Sequence, residues 1–146
     1  MPVQLKIVNQ SPYPLPQYST EGSSGMDLRA NLAEVVVLRS LERCLVPTGL
    51  FIEMPPNYEA QVRPRSGLAI RQGLTCLNSP GTVDSDYRGE IKVVLINLSA
   101  EEQVIQPGER IAQLVIQQVE KAAWLPVEIL EETSRNSGGF GSTGKQ

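Results

Sequence analysis

From Gly81 to Glu90 the chain reads Gly-Thr-Val-Asp-Ser-Asp-Tyr-Arg-Gly-Glu, which sets three carboxylates, a phenol and a guanidinium around two glycines. The stretch directly precedes the longest apolar run, Ile91–Leu98. A turn that only reversed the chain would not need so much charge beside an aromatic ring. The segment is therefore either a solvated hairpin loop or the presenter of a carboxylate to a substrate. The chain contains no histidine, which removes histidine triads and histidine metal sites. A general base must then be a carboxylate, a perturbed lysine or tyrosine, or a thiolate.

Four other segments carry groups of chemical interest. Arg63-Pro64-Arg65-Ser66-Gly67-Leu68-Ala69 reads, by itself, as a helix start with surface arginines. Ser66 is expected to cap a short helix Gly67–Gln72, which Gly73 stops in a left-handed conformation. The same geometry offers free N–H groups, a hydroxyl and an arginine to an anion. Ser24-Gly25-Met26-Asp27-Leu28 reads as a turn entering a strand, and Asp27 is suited to hold the waters of a hydrated Mg²⁺. Gln113 lies in a mostly apolar strand, either as a satisfied core amide or as a donor aimed at a ligand.

The tail Thr133–Gln146 holds four glycines, three serines, two threonines, Arg135, Lys145 and one large apolar residue, Phe140. Such a composition cannot bury a core, so a mobile arm is expected. Phe140 and Arg135 would be wasted in a pure spacer. A base stacked on an aromatic ring gains ~1–3 kcal/mol, enough to order a short tail. Gly139 to Lys145 comes close to phosphate-loop spacing, but Gln146 stands where Ser or Thr is required, and that reading is rejected.

The elements that must position these groups are mostly strands. Val3–Val8, Val35–Leu38, Gly49–Met54, Tyr58–Arg63, Ile91–Leu98 and Arg110–Val119 carry strand patterns, the fifth as a strand buried on both faces. Asn9–Met26, with Pro12, Pro14 and Pro16, reads as an extended loop, and Gln106–Glu109 as a tight turn. Short strands separated by Pro/Gly turns predict an all-β sandwich, barrel or jelly roll with one short helix. At 146 residues the chain is one domain, residues 1–132, followed by the arm 133–146. The net charge of −3 argues against a nucleic-acid-coating surface. No membrane span or secretory signal is visible, and Cys44 and Cys76 fit free thiols of a reducing compartment, so a cytoplasmic setting is expected.

Taken in order, Ser24–Ala30, Arg63–Ala69, Asn78–Glu90, Gly108–Leu114 and Arg135–Gly144 resemble the five motifs of the trimeric dUTPase family. Ser24 stands where alanine is usual, a minor departure. The resemblance implies a jelly-roll homotrimer with shared sites that cleaves dUTP to dUMP and pyrophosphate, limiting uracil in DNA and supplying dUMP for thymidylate synthesis. It implies that Asp84 activates the attacking water and that Gln113 contacts the α-phosphate and that water. Arg65, Ser66 and Gly67 would bind phosphates from a neighbouring subunit. Asn78, Gly81, Thr82 and Val83 would read the uracil edge, and Tyr87 would pack against the deoxyribose and refuse a 2′-hydroxyl. Arg135, Ser142 and Thr143 would clamp the γ-phosphate, with Gly141 in the same loop and Phe140 over the base. Mg²⁺ would bridge the phosphates, with Asp27 reaching it through water. The nearest alternative is a dCTP deaminase of the same fold, which lacks an Asp-Tyr pair such as Asp86-Tyr87. A non-catalytic binding protein on this scaffold is the alternative of another class.

Overall fold

A computed structural model describes residues 1–145. Two four-stranded antiparallel sheets and a two-stranded ribbon make up the body. The first sheet has the order β1-β4-β8-β6 and is built from β1 (Lys6–Asn9), β4 (Arg43–Glu53), β6 (Leu74–Cys76) and β8 (Ile91–Asn97). The second has the order β2-β10-β5-β7, from β2 (Met26–Arg29), β5 (Tyr58–Arg63), β7 (Gly81–Val83) and β10 (Arg110–Gln118). The ribbon joins β3 (Val36–Leu38) to β9 (Gln103–Ile105), and α1 (Ser66–Gln72) is the one helix among the described residues. This is the all-β, jelly-roll-like architecture expected.

The core lies between the sheets because each strand turns its alternate residues inward. β5 shows it plainly: Ala60 and Val62 are buried while Glu59, Gln61 and Arg63 face outward. Leu28, Val46, Leu50, Leu74, Ile91, Val93, Leu95 and Leu114 complete the same cluster from both sheets.

Several expectations need correcting. β1 begins only at Lys6, because its partner β4 pairs with it from Lys6 to Asn9 alone. β4 is much longer than Gly49–Met54. Pro47-Thr48-Gly49 has the composition of a turn but is a bulge, with a register shift between Pro47 and Leu50 and Gly49 at φ +73°. The Thr48 hydroxyl bridges it, donating to the Ile91 carbonyl and accepting from the Leu50 N–H. β8 is covered on both faces only towards its end: Lys92 is exposed, whereas Leu95, Ile96 and Asn97 are buried. Strands β6, β7 and β9, at three residues each, are too short to leave a readable period.

Ser66 is not the helix cap. The cap position belongs to Arg65, whose backbone is extended and whose side chain makes no capping bond, and Ser66 is the first helical residue. The helix does stop at Gly73, φ +66°, whose N–H returns to Ala69 and Leu68. Cys44 and Cys76 are free. Both sit opposite Leu95 of β8, one on each side, which separates their Cα atoms by two strand spacings, ~9.6 Å. That is beyond the ~7 Å a disulfide spans.

Candidate active site

Three neighbouring strands gather the anion-binding candidates. On β10, Gln113 lies opposite Asp27 of β2 and opposite Arg63 of β5, so pleating alone puts the three on one face. Past Arg63 the chain turns through Pro64 into α1, and this brings Arg65 back over Asp27. The Arg65 Nε lies 3.2 Å from Asp27 Oδ1, and an Arg110 nitrogen lies 3.8 Å from Oδ2. Arg65 also donates to the Arg110 carbonyl.

Gln113 is held as closely. Its amide donates to the Pro64 carbonyl at 3.1 Å, and its oxygen packs on Gly25. A Cβ on Gly25 would lie 2.5 Å from that oxygen, and Gly25 has no positive φ. Glycine is needed there for space, not for backbone conformation. Gly25 and Arg110 were missed as site residues; the Gly-x-Asp spacing before β2 and the Gly-Glu-Arg spacing before β10 were their only signals. Ser66 and Gly67 follow at the start of α1, with the Ser66 hydroxyl exposed and the Arg71 guanidinium lying over Gly67.

The base-reading and catalytic candidates lie elsewhere. β7 is an edge strand, paired on one side with Ala60–Val62 of β5. One side of Gly81-Thr82-Val83 therefore keeps unpaired backbone groups, which suits the reading of a base edge. Asn78 folds over this strand, its amide nitrogen in contact distance of a Cβ placed on Gly81. Beyond Val83 the chain turns at Asp84–Tyr87, with the Tyr87 N–H donating to the Asp84 carbonyl. The Asp84 side chain is exposed and has no hydrogen-bond or ion-pair partner among the described residues. Arg88 braces the hairpin, donating to the Ser85 carbonyl and reaching Glu53 of β4. Lys6 and Arg88 both hold the Glu53 carboxyl below the usual range, the Lys6 hydrogen bond more strongly.

These two groups do not meet within one chain. Val83 is level with Ala60, and Gln113 with Arg63, three residues further along β5 and one strand beyond it. That places Val83 about 14 Å from Gln113, and Asp84 continues away. A cavity of about 300 Å³ opens on Tyr13, Tyr18, Asp27, Arg29 and Arg110, and neither Asp84, Tyr87 nor Gln113 lines it.

The arm stands apart again. Residues 133–145 fold on themselves: Arg135 donates to the Gly138 carbonyl, and the Gly138, Ser142 and Gly144 N–H groups return to Arg135, Gly139 and Gly141. No hydrogen bond runs from them to the body among the described residues. Phe140 is fully exposed, and Gly141, Ser142 and Thr143 lie beside it, also exposed.

Among the described residues no group of three or more acidic or cysteine side chains is placed to hold a metal. Asp27 is the carboxylate on the anion face, and both its oxygens point at arginines. With no protein cage for a resident ion among the described residues, Asp27 would meet Mg²⁺ only through the water of an ion that brings its water and phosphate ligands with it.

Fold and site together define a two-sheet β protein with arginines and an amide gathered on one sheet face and a bare carboxylate on a separate hairpin, groups of the kind suited to phosphate chemistry. Comparison with known proteins narrows this. The dUTPase family profile matches residues 11–144. Deoxyuridine 5′-triphosphate nucleotidohydrolases of Fusobacterium nucleatum and Cytophaga hutchinsonii are 57% and 59% identical, covering 98% and 99% of this chain and 98% and 94% of their own. A Staphylococcus bacteriophage 80alpha dUTPase mutant solved with dUpNHpp superposes with a TM-score of 0.86, over 97% of this chain and 99% of that one; at 24% identity it speaks for the fold. The chain belongs to the dUTPase family.

Proposed function

We propose that this chain hydrolyses dUTP to dUMP and pyrophosphate, with Asp84 as the base and with each site assembled from more than one copy of the chain. The activity follows from family membership and from relatives named for it across their full length, which favours hydrolysis over deamination. The observation that carries the shared site is the separation just described: the unpartnered carboxylate and the anion-binding face lie too far apart in one chain to act on one phosphate. Trp124, Leu125, Val127, Ile129 and Leu130 support it from another side. All are exposed in the single chain, and so much apolar surface marks a contact with another copy. We take the assembly to be a homotrimer.

In this reading Gln113, Arg65, Ser66 and Gly67 hold the phosphates on one subunit while the β7 hairpin of another holds the base. Asn78 and the free edge of Gly81–Val83 hydrogen-bond to uracil. Cytosine is refused because its amino group would leave these polar groups unpaired once the bound base shuts them off from water. Tyr87 walls the deoxyribose. Asp84 takes a proton from water, the water oxygen bonds to the α-phosphorus, and the α–β bridging bond breaks to release pyrophosphate. Asp27 would reach a hydrated Mg²⁺ through that ion's water, and such an ion would supply charge neutralisation for the departing pyrophosphate. Arg135, Ser142 and Thr143 clamp the γ-phosphate, Gly141 leaves backbone room, and Phe140 stacks on the base as the arm closes and excludes water. The two unpaired thiols suit a reducing, cytoplasmic setting.

Asp84→Asn is expected to bind nucleotide but hydrolyse dUTP at least ~10²-fold more slowly, the scale of a lost general base. Mixed trimers of Asp84→Asn and Gln113→Ala subunits should regain part of the activity that each variant lacks alone. A near-normal rate for Asp84→Asn would reassign the base, and no recovery on mixing would return the site to a single chain.

A further inference from the structure

Gly89 closes the hairpin, and its own φ does not explain why it is glycine: it is not among the glycines with positive φ. Any L-residue adopts such a backbone. What excludes a side chain there is Tyr87. A Cβ on Gly89 would overlap the Tyr87 hydroxyl and lie 2.5 Å from Cζ and 2.8 Å from Cε1. The ring is folded back over Gly89, and its hydroxyl donates to the Glu90 carbonyl at 2.9 Å. The ring is thus seated on the backbone at one side and tethered at its tip. It remains 45% exposed, so its open side faces outward from the hairpin.

We infer that Gly89 is a positioning residue that sets the specificity of the sugar site, by leaving the volume in which Tyr87 is seated. This rests on the reading of Tyr87 as the wall against the deoxyribose. A steric wall discriminates only while it stays put. Refusal by shape depends on the wall holding its position, and a ring free to swing about its first side-chain torsion gives most of that refusal away. With alanine at 89 the ring cannot keep both its seat and its bond to Glu90. It leaves its seat and no longer holds one fixed face against the sugar, so the packing that favours a deoxyribose over a ribose is lost. The clash is with the far end of a side chain that can move, so the substitution shifts the ring and does not threaten the fold.

The test compares kcat/KM for dUTP and for UTP in the wild-type chain, Gly89→Ala, Tyr87→Ala, Tyr87→Phe and the double variant Gly89→Ala/Tyr87→Ala, with melting temperatures recorded for each. Gly89→Ala should lower the dUTP-to-UTP ratio ~10-fold, with the loss on dUTP in KM more than in kcat. Tyr87→Phe, which keeps the ring but cuts the tether, should lower the ratio by a smaller factor. In the Tyr87→Ala background the Gly89 substitution should change nothing. If Tyr87→Ala lowers the ratio while Gly89→Ala and Tyr87→Phe leave it intact, the inference is overturned. It is likewise overturned if the double variant shows two additive losses. A ratio unmoved by Tyr87→Ala would instead overturn the assignment of Tyr87 to the sugar.

Discussion

The proposed function brings Gln113 and Phe140 to the same nucleotide, yet they are held in opposite ways. Gln113 is fixed by sheet register with Asp27 and Arg63, by a hydrogen bond to Pro64 and by contact with Gly25. Phe140 is fully exposed on an arm whose hydrogen bonds stay within the arm. The difference separates two jobs. Groups that align a reacting phosphate must be in place beforehand, since misplacement by even ~1 Å is costly in rate. A group that covers the substrate must let it in and out, so its ordering is deferred until ligand contacts offset the entropy of the arm.

The contrast breaks most visibly if the arm is removed. Deleting residues 133–146 should abolish dUTP turnover while leaving the melting temperature within a few degrees, because the arm adds no buried apolar side chain to the core. Loss of folding would show that the arm is part of the body after all. On the preformed side, Gly25→Ala should push the Gln113 amide from its seat and lower kcat several-fold with a smaller change in KM. The same substitution should be silent in a Gln113→Ala background; two separate losses would show that Gly25 acts by another route.

The smallest effect concerns the core beneath. Burial raises the Cys76 thiol to about 11 from its ordinary 9.0, and burial also raises Cys44. For Cys76 the contribution to stability is fully present below the unfolded value and is lost as pH rises from about 9 to 11, since the unfolded thiol ionises first. The denaturation midpoint should therefore drop over that window. Cys76→Ala should remove this part of the drop, and an unchanged slope would assign it to other groups.

Much of this was legible beforehand. Tyr58–Arg63 matches its strand end for end because Ala60 and Val62 alternate with polar residues on a half-exposed surface. The Gly73 stop was readable because a left-handed position favours glycine. Pro47–Gly49 was not, since a bulge and a turn use the same residues, and only the pairing partner decides between them. Ser66 failed as a cap for a similar reason: the residue type was right, but the chain enters the helix one position earlier.

The order and types of Asp27, Arg65, Asp84, Tyr87, Gln113 and Phe140 carry the proposed chemistry by themselves, because functional groups are written directly in residue identity. Alternation in the long strands determined the fold class, since a period of two reports which face is buried. Tertiary structure alone decided which of those groups share a face, that Asp84 and Gln113 stand apart in one chain, and that Gly25 and Gly89 are vacancies shaped for Gln113 and Tyr87. Register, strand order and the space left by a missing side chain arise from pairing between distant segments, and no local pattern encodes them.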